Sequence, residues 1–107
     1  IEVKTTDELK ALVKANRIVV VDFHASWCNP CKSLAPKFEK VANDWDGTKV
    51  VFAKFDIDNG LDVVKSEYGL RAVPTVLVFT ECGEKFSMIK DPSDVSINSY
   101  LNKITSP

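Results

Sequence analysis

The sequence predicts an α/β fold: a mixed sheet covered by helices on both faces and ending in an antiparallel hairpin. Three observations carry that prediction. Short apolar runs alternate with stretches whose apolar residues recur every three or four positions. The run Ile18-Val19-Val20-Val21 is unbroken by polar residues, as befits a central parallel strand covered on both sides. Near the C-terminus, two strand-like runs flank Glu81-Cys82-Gly83-Glu84, a hairpin-type turn, and a last helical stretch follows.

The elements are expected in the order β-α-β-α-β-α-β-β-α. After a first strand, Thr5-Thr6-Asp7-Glu8 reads as a capping box, with Leu9, Leu12 and Val13 following at helical spacing. Ile18–Phe23 is the second strand. Leu34, Phe38, Val41 and Trp45 then mark the core stripe of a second helix. Pro36 lies inside that helix and is expected to kink it, and Gly47 suits its C′ position. Val50–Phe55 is the third strand. Leu61, Val64 and Tyr68 outline a short helix ending near Gly69. Thr75–Phe79 and Lys85–Ile89 are the hairpin strands. Pro92 fits the first turn of the last helix, which carries Ile97, Tyr100, Leu101 and Ile104 on one face.

A chain of 107 residues without repeats, low-complexity tracts or a linker reads as one domain, 1–107. Its formal net charge of −1 argues against nucleic acid or an anionic membrane as partner. The longest apolar run falls far short of a membrane span. No signal peptide or lipidation motif is legible. Three cysteines are an odd and low count for a disulfide-stapled secreted scaffold. A reducing compartment is therefore expected, the cytoplasm first. The chain begins at Ile1 rather than Met, which keeps an organellar or secreted location open through a trimmed N-terminus.

The chemistry concentrates in Trp27-Cys28-Asn29-Pro30-Cys31-Lys32. Two cysteines separated by two residues can close a small disulfide ring. On the first turn of a helix, the leading sulfur also meets unpaired N–H groups and the positive end of the macrodipole. That placement favours the thiolate, the form that attacks disulfides. Half a zinc site is the competing reading, but the other ligands would have to come from Cys82 and His24, which lack ligand-like spacing; no metal is expected. A purely structural disulfide is the other, and the flanking Trp27 and Pro30 speak against it. Asp22 closes an apolar strand, where a carboxylate is costly unless paired or protonated. Lys54 interrupts Phe52-Ala53-Lys54-Phe55 in the same way. By residue type alone, these two also suit a solvent-facing carboxylate and a snorkelling surface lysine. Likewise Pro74 suits a trans proline at a strand start.

The segment Val21-Asp22-Phe23-His24-Ala25-Ser26-Trp27-Cys28-Asn29-Pro30-Cys31-Lys32 resembles the active-site segment of the thioredoxin family. The resemblance runs through most of the chain, with Lys54, Asp58, Val73-Pro74-Thr75 and Gly83 at family positions. It implies the thioredoxin fold, a central five-stranded mixed sheet flanked by four helices. It implies protein-disulfide reduction in cell redox homeostasis, with no bound cofactor and with electrons passing from NADPH through a thioredoxin reductase. The implied partners are that reductase and disulfide-containing proteins such as peroxiredoxins and reductases, met by a monomer. Cys28 would be the nucleophile, nearer the helix start and more exposed, and Cys31 the resolving thiol. Asp22 would accept the Cys31 proton, and Lys54 would modulate Asp22. Val73 and Pro74 would form a cis-proline loop facing the cysteines, its free backbone groups pairing with an extended substrate. Trp27, with its indole N–H bonded to Asp58, would face substrate together with Asn29, Pro30 and Lys90. Trp45 reads as packing.

The chain also departs from the family pattern. Asn29 replaces the glycine that most members carry between the cysteines, adding a side-chain dipole beside the thiols. His24 stands where many members have an aromatic residue, and an amphipathic filler at a strand end is its plainer reading. Ile89-Lys90-Asp91-Pro92 lacks the usual glycine, which makes Lys90 and Asp91 selectivity candidates. Cys82 reads as a free turn thiol. Two alternative functions stay open at this point. One is a specialised or more oxidising relative of the disulfide-isomerase kind, although those more often carry His between the cysteines. The other is a redox-dependent binding module.

Overall fold

A computed structural model describes residues 1–106. The chain runs through β1 (Glu2–Val3), α1 (Thr6–Ala15), β2 (Val19–His24), α2 (Asn29–Asp44) and β3 (Val51–Asp56). A single 3-10 turn, Ile57–Asn59, leads to α3 (Leu61–Tyr68), β4 (Thr75–Thr80), β5 (Lys85–Met88) and α4 (Asp94–Thr105). This is the expected order, and the five strands form one mixed sheet ordered β1-β3-β2-β4-β5. β1 and β2 run parallel to β3, whereas β4 runs antiparallel to both β2 and β5.

β2 lies at the centre of the order, between β3 and β4, and Val19–Phe23 are accordingly buried on both faces. Val19, Val21 and Phe23 enter one core, with Leu9 and Val13 of α1 and Val64 of α3. Val20 enters the other, with Leu34, Phe38 and Val41 of α2 and Ile97 and Leu101 of α4. Strand alternation then sends Asp22 to the second face, beneath α2, with no exposed surface. The carboxylate is thus buried by the register that buries Val20.

Several helix ends differ from expectation. Thr5 caps α1 by accepting the Glu8 N–H at 3.0 Å. The box is only half made, because the Glu8 carboxylate accepts from the Lys4 N–H, one residue outside the cap. Helix α2 runs unbroken through Pro36 to Asp44, and Gly47 is not its C′ residue. Trp45 is already extended there, its indole N–H donating to Asn98 of α4 at 2.8 Å. Gly47 instead lies in a turn where Asp46 accepts from the N–H and hydroxyl of Thr48. Pro92 precedes α4 rather than opening its first turn. Ser93 takes the cap, and Ser93 and Ser96 each accept the other's backbone N–H, at 3.1 and 2.8 Å.

Gly69 ends α3 as expected, with φ +70° and its N–H reaching back to the Lys65 and Val64 carbonyls. In the β4–β5 turn, Gly83 has φ +87°, and a Cβ there would lie 3.1 Å from a methyl of Val13. Among the described residues, no helix is long and apolar enough to cross a membrane.

Candidate active site

The site forms where the C-terminal ends of β2 and β3 meet the start of α2. β2 ends at His24, and the Cys28 N–H turns back to the Ala25 carbonyl at 3.1 Å. That turn makes Cys28 the N-cap of α2, with its sulfur accepting the Cys31 N–H at 3.2 Å. A sulfur therefore does the work that an oxygen does at most helix starts. Pro30 fits the first turn, where its missing N–H costs nothing. Cys28 and Cys31 are joined as a disulfide, with their Cα atoms 5.3 Å apart.

Cys28 was expected to be the more exposed cysteine, and in this oxidised form it is not. Cys28 and Cys31 are 4% and 5% exposed, since both pack into the apolar cluster with Ala25, Leu70 and Val73. What projects instead is Trp27, 65% exposed. Asn29 and Pro30 are exposed beside it.

The Val73–Pro74 bond is cis. Thr75 pairs with Phe23, which sets this loop at the β2 end that launches the cysteines. Trp27, Ile57, Asp58, Leu61, Leu70, Arg71, Ala72 and Val73 line an open hollow of about 220 Å³, with Lys65 at its rim. Trp27 and Asp58 share this hollow, but the expected bond from the indole N–H to Asp58 is not made. The Trp27 side chain stays largely exposed, and the hydrogen bond Asp58 does make is through its backbone N–H, which donates to the Asp56 carboxylate at 2.9 Å.

A second hollow, about 150 Å³, lies on the far side of the disulfide. Asp22, His24, Cys31, Lys32 and Lys54 line it with Ala25, Ser26 and Ala35. Neither Asp22 oxygen has a hydrogen-bond partner. Burial pushes the Asp22 carboxyl up to about 6 from its usual 3.8, and the nearby His24 and Lys54 charges hold it back from going higher. Lys54 lies directly across from Asp22 in the β2–β3 ladder. Among the described residues, no ion pair within 4.0 Å joins them.

Cys28, Cys31, Trp27, Asn29, Pro30, Asp22, Lys54, Val73 and Pro74 thus converge on one end of the sheet. Lys90 is exposed in the loop after Ile89, whose N–H bonds the Val76 carbonyl at 2.9 Å, so this loop flanks the start of β4. Asp91 has φ +48°, a conformation glycine adopts freely and Asp tolerates. Cys82 is a free, exposed thiol in the β4–β5 turn, at the opposite end of the sheet. Sequence reasoning missed Ile57, Leu61, Leu70, Arg71 and Ala72 as neighbours of Trp27. Their only signal was position, just after β3 or just before Val73. Among the described residues, no group of His, Cys, Asp or Glu is arranged to hold a metal ion.

Known proteins match this architecture along nearly its whole length. The family profile for thioredoxin matches residues 1–103. Thioredoxin-1 of Schizosaccharomyces pombe is 39% identical over 100 residues, spanning 94% of this chain and 93% of its own. Mitochondrial thioredoxin of Bos taurus is 45% identical over 95 residues, 87% of this chain but 55% of that protein. The crystal structure of Malassezia sympodialis thioredoxin superposes with a TM-score of 0.84 at 30% identity, covering 98% of this chain and 90% of the other. Reduced Schistosoma mansoni thioredoxin superposes at 0.82 with 32% identity, over 95% and 94% of the two chains. Proteins of this kind work with a reductase and disulfide substrates, normally without a bound cofactor. The chain belongs to the thioredoxin family, and it is a thiol-disulfide oxidoreductase that reduces protein disulfides by dithiol/disulfide exchange through Cys28 and Cys31 in cell redox homeostasis.

Proposed function

We propose that Cys28 attacks, Cys31 resolves and Asp22 manages the proton between them. The observation that carries this reading is the N-cap role of Cys28, whose sulfur accepts the Cys31 N–H at 3.2 Å. In the reduced protein that donor and the helix dipole favour a thiolate at Cys28. The thiolate attacks one sulfur of a target disulfide, and the other target sulfur leaves with the bonding pair. Cys31 then gives its proton to Asp22, and its thiolate attacks the Cys28 sulfur. The Cys28–Cys31 disulfide re-forms, and the second target sulfur leaves. Two electrons pass from the protein to its target.

Cys31 and Asp22 line the same hollow, which supports the proton step. A carboxyl held up to about 6 is also a better match for a thiol than an ordinary aspartate. Lys54, across the ladder, modulates Asp22 through its charge. Trp27, Asn29 and Pro30 present the substrate-facing surface. Val73 and Pro74 offer backbone groups to an extended target segment, and Lys90, exposed in the loop after Ile89, adds a charged contact to it. A thioredoxin reductase returns the two electrons from NADPH, and the targets are disulfide-containing proteins such as peroxiredoxins and reductases. The protein acts as a monomer and as one domain over 1–107, in a reducing compartment, the cytoplasm first. The exposed free thiol of Cys82 suits that setting.

Cys28→Ser is expected to abolish insulin-disulfide reduction with dithiothreitol. Cys31→Ser is expected to accumulate mixed disulfides that survive denaturant and break with thiol. Full activity in Cys28→Ser would remove the proposed nucleophile. A coupled assay with NADPH and a thioredoxin reductase tests the electron source, and no turnover there would reject it.

A further inference from the structure

His24 follows Asp22 by two residues on β2, so alternation sends both side chains to one face of the sheet. Across the ladder, Lys54 and Asp56 of β3 pair with Asp22 and His24, and Glu2 of β1 pairs with Lys54. Asp22 and His24 both line the hollow that reaches Cys31, with Lys32 of α2 on its wall. Among the described residues, the buried side-chain polar atoms without a hydrogen-bond partner are both Asp22 oxygens and His24 Nε2. Unpaired buried polar atoms are costly, and their gathering at one spot calls for a physical reason.

Charge supplies one. His24 Nε2 lies 3.6 Å from a Glu2 carboxylate oxygen, too far for a hydrogen bond but close for an ion pair once the ring is protonated. The His24 side chain is 20% exposed, whereas Asp22 has no exposed surface. The His24 side chain therefore meets solvent in part, while Asp22 is covered beside it. The other charged groups on this face are less suited to such a role. Lys54 makes no ion pair to Asp22 within 4.0 Å. Lys32 is exposed, and Asp56 already accepts the Asp58 N–H. An imidazole alone among them gains and loses charge near neutrality.

We propose that His24 is a positioning residue for the resolving step: its imidazolium, steadied by Glu2, is the counter-charge that keeps Asp22 in the carboxylate form able to take the Cys31 proton. This rests on the reading of Asp22 as the proton acceptor. The proton moves from Cys31 Sγ to Asp22, and His24 keeps its own throughout.

The test follows the Asp22 carboxyl by NMR titration in the oxidised protein, and target release from a mixed disulfide as a function of pH. His24→Phe and His24→Gln are each compared with the wild type. Loss of the imidazolium is expected to move the Asp22 midpoint up by about one pH unit. The acid limb of target release should follow, slowing roughly tenfold on that limb and not at all on the alkaline plateau, where Asp22 is already ionised. Gln keeps polar bulk without charge, so it must behave like Phe. An unmoved midpoint in both variants, or a wild-type midpoint in the Gln variant, overturns the proposal. Asp22→Asn separates the two layers. If its acid limb persists at the wild-type position, Asp22 is not the acceptor and both readings fall. If that limb vanishes while the His24 variants keep theirs in place, only the role of His24 is refuted.

Discussion

Asp22→Asn should make the protein more stable while it impairs the proton step. The native carboxyl titrates at about 6, and the same group in an open chain near 3.8. Between those values the native state holds more protons than the unfolded state, so stability falls as pH rises through this window and is level above it. A gap of about two pH units at ~1.4 kcal/mol each comes to about 3 kcal/mol lost by pH 7. Asparagine avoids that loss because it has no charge to bury. Below pH ~3.8 the comparison is between a neutral acid and a neutral amide of the same shape, each with its polar atoms unpaired, so the two proteins should unfold alike. The assay is denaturant unfolding of both oxidised proteins from pH 3.5 to 8. The stability difference should start near zero, grow to about 3 kcal/mol by pH 6 and stay there. At pH 7 that corresponds to a rise in Tm on the order of 10 °C. A difference that does not change with pH, or a variant less stable at pH 7, would refute the account of Asp22 as a sealed, unpaired acid.

Three further substitutions probe other parts of the molecule. Trp27→Ala should raise KM for a protein disulfide at least about fivefold, as loss of an aromatic contact anchor does. It should barely change the unfolding midpoint, because the side chain is 65% exposed; equal KM values would detach Trp27 from substrate. Leu101→Ala empties a fully buried position between α4 and the sheet and should cost 2–5 kcal/mol in denaturant unfolding, with a loss under about 1 kcal/mol contradicting the packing described. Ser93→Ala removes the reciprocal cap of α4 and should cost about 1 kcal/mol, with amide exchange accelerated first in the N-terminal turn of α4. Unchanged exchange there would show that the cap is idle.

Much of the fold was legible because its signals are local. Periodicity located all four helices and the long strands to within a residue or two, and Gly69 and the Gly83 turn fell where their backbone angles require them. Misplaced ends have another cause, the partner that a side chain finds. Trp45 leaves α2 early because its indole finds Asn98, a residue 53 positions away. Glu8 turns to Lys4 rather than to Thr5, and Ser93 displaces Pro92 from the last helix. Such choices are made by side-chain partners, which spacing alone does not reveal.

The sequence by itself determined that two cysteines lie at a helix start after a buried strand, and that Asp22 and Lys54 are charges in apolar company. Strand alternation and helix periodicity are properties of the backbone, so a reader of residues can find them. Only the tertiary structure decided which groups meet. The parallel pairing of β2 with β3 set Lys54 and Asp56 opposite Asp22 and His24, and β1 brought Glu2 to the same face. The antiparallel β4 carried Val73 and Pro74 back to the cysteines and left Cys82 at the far end. Exposure, too, was settled by packing: closing the disulfide against an apolar cluster covered Cys28 as fully as Cys31 and left Trp27 to face the solvent. Contacts between residues this far apart in the chain depend on how sheet and helices stack, and no pattern along the chain encodes that alone.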